Sequence, residues 1–283
     1  MPLIFVNMPL GNKDDLSLRA LAALQDGQHF FVEDTRTFKE FLQLHQIPLA
    51  NKSIESWHDH SPPGQIKKMQ QLLAAQENVY LVSEAGSPVI SDPGFAALKL
   101  LRACGPQEND AGDFALDTLP GPSAPICALE LSGLPPYPFT FWGFVPRQTA
   151  ACQAWAAQLR SGHTHVAFEA PPRLLATMER LCQALPQASW AICRELTKKF
   201  QSVYRGTAAT WPAIKNQIVL KGEFVLVLYL PPTQETASTG SPAVQQAYQN
   251  PTPKNLAKMF AELLQIDAHT AYQALAQRKN VSK

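Results

Sequence analysis

The chain has 283 residues, 46% apolar and 17% charged, with a formal net charge of +1, which is room for two domains that each bury a core and argues against a protein that coats nucleic acid. No apolar run reaches the ~20 residues of a membrane span, and no basic segment followed by an apolar core marks a signal peptide. Five cysteines (Cys104, Cys127, Cys152, Cys182, Cys193) form no CxxC pair, which argues against structural zinc or a disulfide framework and for a reducing cytoplasm.

Short apolar runs alternate with amphipathic stretches, the pattern of parallel sheets covered by helices. "LIFVNMP" reads as a first strand and "DDLSLRALAALQDG" as a helix ended by Gly27. The strand "HFFVED" and the helix "TRTFKEFLQLHQI" follow, then the short strand "KSIESW", the helix "PGQIKKMQQLLAAQ" and the strand "VYLVSEAG". A helix over "GFAALKLLRACG" and a strand in "FALDTLPG" complete a first α/β domain over residues 1–119. "PGPSAP" opens a second domain, residues 120–230, with strands in "FTFWGFV", "THVAFEA", "WAICREL", "SVYRG" and "EFVLVLYLP". Helices are expected in "ICALELSGL", "TAACQAWAAQLRSG", "PRLLATMERLCQAL" and "ATWPAIKNQI", and the close spacing of the strands predicts a mixed sheet. Residues 231–253, Pro- and Ser/Thr-rich, read as a linker, and 254–283 as a small helical tail. The charge is split between the halves: residues 1–120 carry nine Lys/Arg against fifteen Asp/Glu, and residues 121–230 ten against five. That asymmetry fits an anionic partner on the second half or two domains attracting each other.

There is no GxGxxG after the first strand and no GxxxxGK[ST] anywhere, so the usual dinucleotide and triphosphate cradles are missing. The conspicuous segment is "LVSEAGSPVISDPG", where an apolar strand runs into an acid, glycines, prolines and serines. A plain turn is one reading. The other is a ligand loop, because open α/β sheets bind ligands beyond the carboxyl ends of their strands, where glycine lets backbone approach. "NMPLGN", "EDTR" and "WHDH" end the neighbouring strands, so all four segments are expected on one rim. "PGPSA", "GFVPR", "FEAPPR", "CRELTK" and "KGE" face them from the second half, which makes a cleft between the domains the expected site. Asp34 or Thr35 is also a natural helix cap. His58 and His60 share a face if their strand persists, as the polar wall of a site or, with no third ligand in view, a weak metal pair. "HTH" at 163–165 reads as a solvated strand edge.

In order along the chain, "PLGN", "EDTR", "HDH", "VSEAGSPVISDPG", "PGPSA", "SGLP", "GFVPR", "RELTK" and "KGEFVLV" resemble the bacterial ribosomal RNA small-subunit methyltransferase I family of the tetrapyrrole-methylase superfamily. The resemblance spans residues 3–230, and the acid–Ala–Gly–small–Pro loop with "SDPG" is its most specific part. It implies two α/β domains of the tetrapyrrole-methylase type with a small C-terminal helical segment. It also implies S-adenosylmethionine as methyl donor, 2′-O-methylation of a cytidine in 16S rRNA of the small ribosomal subunit, and a homodimer. The chain departs from the family pattern at Glu84 (commonly Asp), Ser87 (Thr) and "FEAPPRL" (Tyr-Glu-Ser-Pro-His-Arg). Those departures keep two alternatives open, a methylase of the same fold acting on a tetrapyrrole-like small molecule and a donor-binding protein without turnover.

The residues carried over for the donor are Pro9, Glu84, Ala85, Gly86, Ser87, Pro88, Ser123, Phe168 and Leu196, with backbone groups of Ala85, Gly86 and Ser87 expected to meet its polar end. A neutral ribose hydroxyl is a poor nucleophile, so a base or positioned carboxylate is expected; by position the candidates are Asp34, His58 and Glu169. Arg36, Arg147, Arg173, Arg194 and Lys198 suit rRNA phosphates.

Overall fold

The computed structural model describes residues 2–58, 61–103, 114–232 and 252–278. Five short strands build the first sheet: β1 Leu3–Val6, β2 His29–Val32, β3 Ser53–Ser56, β4 Val79–Val82 and β5 Leu116–Leu119. Their order is β3-β2-β4-β1-β5, and every pairing is parallel. The sequences explain the order. "LIFV" and "VYLV" are buried at all four positions and lie centrally, while "SIES" is half-buried throughout and takes the edge, since only a strand covered on both faces needs to be apolar on both.

Helices α1 Leu18–Asp26, α2 Thr35–Leu44, α3 Pro63–Ala74 and α4 Gly94–Ala103 cover this sheet. Leu24, Phe38 and Leu42 pack with Ile4, Phe30 and Tyr80 on one face. Met69, Leu73, Ala97 and Leu101 pack with Leu3, Phe31 and Leu81 on the other. Two of these helices, α1 and α2, begin at side-chain caps. Ser17 Oγ accepts from Ala20 N at 3.2 Å, and Asp34 accepts from Arg36 N and Thr37 N, which satisfies amides that have no partner inside the helix.

The second sheet has the order β6-β7-β10-β8-β9, with β6 Phe139–Phe144, β7 Thr164–Glu169, β8 Ser189–Arg194, β9 Ser202–Thr207 and β10 Phe224–Tyr229. The sheet is mixed: β6 and β7 are parallel, and β10 and β9 join by antiparallel pairings. Central β10, "FVLVLY", is buried at its first five positions. Helix α5 Ala124–Ser132 lies on this sheet through Ala128 and Leu129; α6 Thr149–Ala157 and α7 Leu174–Ala184 contact each other. "ATWPAIKNQI" forms only one α-helical turn, α8 Trp211–Ile214, tightening into a 3-10 turn at Lys215–Gln217.

The expectation of a solvated edge at "HTH" is overturned. Thr164 and His165 are each 1% exposed, because β7 is flanked by β6 and β10 rather than lying at the edge. Trp142 Nε1 donates to His165 Nδ1 at 3.1 Å, and Thr164 Oγ1 donates to Pro135 O. A histidine that hydrogen-bonds an indole inside a sheet needs no solvent.

Both sheets belong to one compact unit, residues 1–159 with 163–229; the other comprises 160–162 with 230–283. Within the latter, α9 Pro253–Leu264 and α10 Ala268–Arg278 pack through Ala257, Ala261 and Ala271. Thr252 Oγ1 caps the first, accepting from Asn255 N, and Asp267 Oδ2 caps the second, accepting from Thr270 N. Most of the expected linker, 233–251, lies outside the described residues. No described helix is long and apolar enough to cross a membrane.

Candidate active site

The loops after β1 and β4 are joined by an isolated bridge in which Met8 N donates to Gly86 O and Gly86 N to Met8 O, both at 2.9 Å. Ser83 Oγ also donates to Gly86 O, at 2.6 Å. Gly86 sits at φ +69°, where an added Cβ would lie 3.3 Å from Leu10 Cδ2, so glycine is required for its backbone as well as its size. The expectation that the Gly86 amide meets the donor is thereby corrected: that N–H already belongs to the bridge, and Ala85 and Ser87 are the loop residues left to offer backbone groups. Farther on, Gly94 N donates to Pro88 O and Trp57 Nε1 to Pro93 O. The loop's shape is therefore held from within, before any ligand arrives.

The first loop also meets the second sheet's loops. Asn12 N donates to Thr197 Oγ1 at 3.1 Å, and the stem of Lys198 occupies the space that a Cβ on Gly11 would need. Gly121, in "PGPS", comes so close to Asn7 that a Cβ there would lie 2.9 Å from the Asn7 Cβ. The contacts of Gly11 and Asn12 with Thr197 and Lys198 bring a loop at the carboxyl end of the first sheet against the second sheet's loops, and residues of both line a cavity of about 420 Å³.

Ala85, Gly86, Ser87, Ser123, Phe168 and Leu196 all line this cavity, as does Glu169. Three donor residues expected from the sequence are not on its lining: Pro9 and Pro88 are buried in their loops, and Glu84 is exposed. Leu10, Asp92, Phe144, Phe224 and Val225 are on it, though sequence reading did not single them out. The wall is chiefly apolar. Phe168 is held edge-on by Phe141 and Phe144, with centroid separations of 5.0 and 5.4 Å; Ser87, Ser91 and Ser123 are the hydroxyls on the lining. Apolar walls with a few placed polar groups are what an adenine and a sulfonium with a zwitterionic tail require. The donor set present here fits such a molecule.

Among the expected catalytic residues, Asp34 is the α2 cap and is paired with Arg36 Nη2 at 2.9 Å. Hydrogen bonds from the Arg36 side chain and backbone pull its carboxyl down to about 2. His58 lies exposed past the end of β3, its N–H donating to Ser61 Oγ; His60 is outside the described residues. The Glu169 side chain is fully buried. Its Oε1 meets Arg173 Nη2 at 2.5 Å and accepts from Ala170 N at 2.7 Å, while Oε2 accepts from Thr177 Oγ1 at 2.5 Å. That carboxylate anchors the start of α7. Neither Asp34 nor His58 lines the cavity.

A different carboxyl does. Asp92 belongs to "SDPG" and hydrogen-bonds Glu33, from the end of β2, with Glu84 also nearby. Burial and these two like charges push Asp92 up to about 8. The signal available in sequence was the convergence of "EDTR" and "SEAGSPVISDPG" on one rim. What it did not say is which acids would touch.

The cations also separate by role. Arg147 is exposed beyond β6. Arg36 is 86% exposed and Arg173 26%, each tied to its carboxylate. Lys198 Nζ donates to Glu223 Oε2 at 2.9 Å and Glu195 Oε1 at 3.3 Å. Arg194 is corrected as a phosphate contact: it is 8% exposed, and its guanidinium donates to Lys221 O at 2.7 Å and Phe200 O at 2.9 Å.

Comparison with known proteins agrees with this geometry. The family model "Tetrapyrrole (Corrin/Porphyrin) Methylases" matches residues 2–212. The Ribosomal RNA small subunit methyltransferase I of Hydrogenobaculum sp. (strain Y04AAS1) is 37% identical over 231 residues, 81% of this chain and 95% of its own. Among solved structures, a diphthine synthase superposes with a TM-score of 0.59 at 14% identity, covering 81% of this chain and 90% of that one. A uroporphyrin-III C-methyltransferase from Thermus thermophilus, complexed with S-adenyl homocysteine, gives 0.50 at 13% identity over 80% and 97%. The two structural likenesses speak to the fold and the sequence match to the branch: this chain belongs to the tetrapyrrole methylases and, within them, to the ribosomal RNA small subunit methyltransferase I family.

Proposed function

We propose that the protein transfers a methyl group from S-adenosylmethionine to the 2′-hydroxyl of a cytidine in 16S rRNA of the small ribosomal subunit. The observation that carries this reading is the cavity where the 85–92 loop meets Phe168 and Leu196, in a chain that matches a small-subunit rRNA methyltransferase over 95% of that protein's length. A small-molecule target fits less well. Residues 121–230, which supply one wall, carry an excess of five positive charges, which suits RNA phosphates, and the relative matched over nearly its whole length is a ribosomal RNA methyltransferase.

When bound, the donor supplies a methyl group on a sulfonium, open to in-line attack. The chain's own contribution is alignment and proton handling. Ala85 and Ser87 offer backbone and hydroxyl groups to the polar end, Ser123 at the start of α5 adds a hydroxyl, and Phe168, Leu196 and Val225 hold the apolar part and exclude water. Fixing two reactants at attack distance removes much of an entropic barrier without covalent chemistry. For the ribose proton, Asp92 is the acceptor we favour among the candidates. Its carboxyl is on the cavity wall and held by Glu33, and a pKa near working pH suits general-base work. Asp34 is too acidic, Glu169 is saturated with donors, and His58 is off the wall.

The homodimer and the cytoplasmic location belong to this proposal as well. Tyr137 and Phe139, 81% and 40% exposed at the start of edge strand β6, offer the apolar surface that a second copy would cover. The test of the main reading is methylation of small subunits, isolated from a strain lacking this modification, with methyl-labelled donor, followed by mapping of the modified ribose. Label on a base, or no label, would refute it.

A further inference from the structure

Two loops of the second sheet, residues 195–201 between β8 and β9 and residues 218–223 before β10, are stapled together on their inner side. Arg194 bonds a carbonyl of each, Phe200 O and Lys221 O. Glu195 N donates to Glu223 O at 3.0 Å, and Glu223 N to Glu195 Oε1 at 2.9 Å. Glu195 and Thr197 adopt left-handed backbone, which lets seven residues close a tight hairpin. Nothing on the inner side accounts for the outer one. Phe200 is 62% exposed, Val219 55% and Leu220 43%, and Lys199 and Lys221 are exposed beside them. The Lys199 ammonium lies 5.6 Å from the centre of the Phe200 ring.

An exposed phenylalanine on a braced loop is a costly place for apolar surface unless something covers it. Charge narrows the choice of partner. The loops and Arg194 together hold four cations against two acids, and both acids already face Lys198. The inner residues of the same loops, Leu196, Gly222 and Glu223, line the cavity, so Phe200 belongs to a loop that also builds the cavity wall. An exposed ring with an ammonium beside it and further cations on the same two loops is the arrangement on which unpaired bases stack while their phosphates are neutralised.

We infer that Phe200, with Lys199 and Lys221, is a stacking platform for an unpaired RNA base next to the methylated nucleotide, and that Arg194 is the positioning residue that braces it. The inference deepens the rRNA reading and rests on it for the partner's chemistry.

The test is titration of the protein with a 12-residue unpaired RNA carrying 2-aminopurine, read by anisotropy and by quenching of the base. Sedimentation and donor binding are measured alongside. Phe200→Ala is expected to weaken RNA binding about tenfold and abolish quenching, with donor affinity and sedimentation unchanged; Phe200→Trp is expected to retain both RNA signals. Wild-type RNA affinity in Phe200→Ala, or a wild-type protein that neither binds nor quenches the RNA, overturns the platform. A change of oligomeric state in Phe200→Ala also overturns it, since the face would then belong to a second copy. If the wild type binds RNA through Phe200 yet transfers no methyl to small subunits, the enzymatic reading falls and the platform stands.

Discussion

Asp92 and Glu33 meet as two carboxyls joined by a hydrogen bond, one from the loop after β4 and the other from the end of β2. Two half-buried carboxylates so close do not both ionise readily, so the pair holds a proton at neutral pH. Asp92 is the member on the cavity wall, and the pair is the natural place to look for acid–base behaviour.

That proton sets a sign for stability against pH. The Asp92 carboxyl rises from 3.8 to about 8 on folding, so between those values the folded state holds a proton that the unfolded state has released. Stability contributed by the pair is therefore full below about pH 4, falls as pH rises, and is lost above about pH 8. Melting temperature should decline from pH 6 to pH 9 in the wild type. Asp92→Asn, which cannot ionise, should flatten that decline, and parallel melting curves for the two proteins would refute the shared proton. If Asp92 is also the acceptor, Asp92→Asn should slow methylation ~10²–10⁴-fold, and the wild-type rate should climb through pH 8.

Gly86 tests the donor site. Valine there meets Leu10 Cδ2 and a φ of +69°, a conformation that costs a β-branched residue roughly 1–3 kcal/mol. Relief of that strain would break the bridge to Met8. Gly86→Val is expected to melt lower and to lose donor binding by calorimetry. Undiminished binding in a folded variant would remove the 85–92 loop from the donor site.

Asp34 separates a cap from a base. Its carboxylate takes amides of Arg36 and Thr37 and pairs with Arg36, and at about 2 it is a weak proton acceptor. Asn caps as well as Asp does, whereas Ala forfeits ~0.5–2 kcal/mol. Asp34→Asn should methylate within a few-fold of wild type, and Asp34→Ala should melt lower with similar turnover per folded molecule. A hundredfold slower Asp34→Asn with native melting would return the base to Asp34.

What could be read in the chain before its fold was periodicity and punctuation. "LIFV" and "VYLV" announced central strands because a strand covered on both faces is apolar throughout, and "SEAGSPVISDPG" announced a loop because nothing in it can extend a strand. The rim of loops followed from parallel topology. Side-chain partnership was not legible. Arg194 and Arg147 look alike in sequence, yet one ends a buried strand and reaches two carbonyls while the other is exposed. "HTH" looked solvated because its residues are polar, and only strand order reveals that β7 is interior. Asp92 was hidden because its partner Glu33 lies 59 positions away in the chain.

Salt dependence distinguishes the two arginines. Phosphate contacts release counterions, so affinity for small subunits should fall as salt rises, with a log–log slope near −0.7 per neutralised phosphate on single strands and about −0.9 on duplex B-DNA. Arg147, exposed past β6, should contribute one such contact. Arg147→Ala is expected to flatten the slope by about one contact while leaving melting and donor binding alone. Arg194→Ala should behave differently. Removing its guanidinium leaves Lys221 O and Phe200 O without their donor, and losing hydrogen bonds from a charged donor costs about 1.5–3 kcal/mol each. Melting should drop and the two loops should loosen, so subunit affinity falls through lost shape while the salt slope stays near wild type. A flattened slope with native melting in Arg194→Ala would mean that its charge reaches RNA after all. An unchanged slope in Arg147→Ala would move the phosphate contact elsewhere on the basic half.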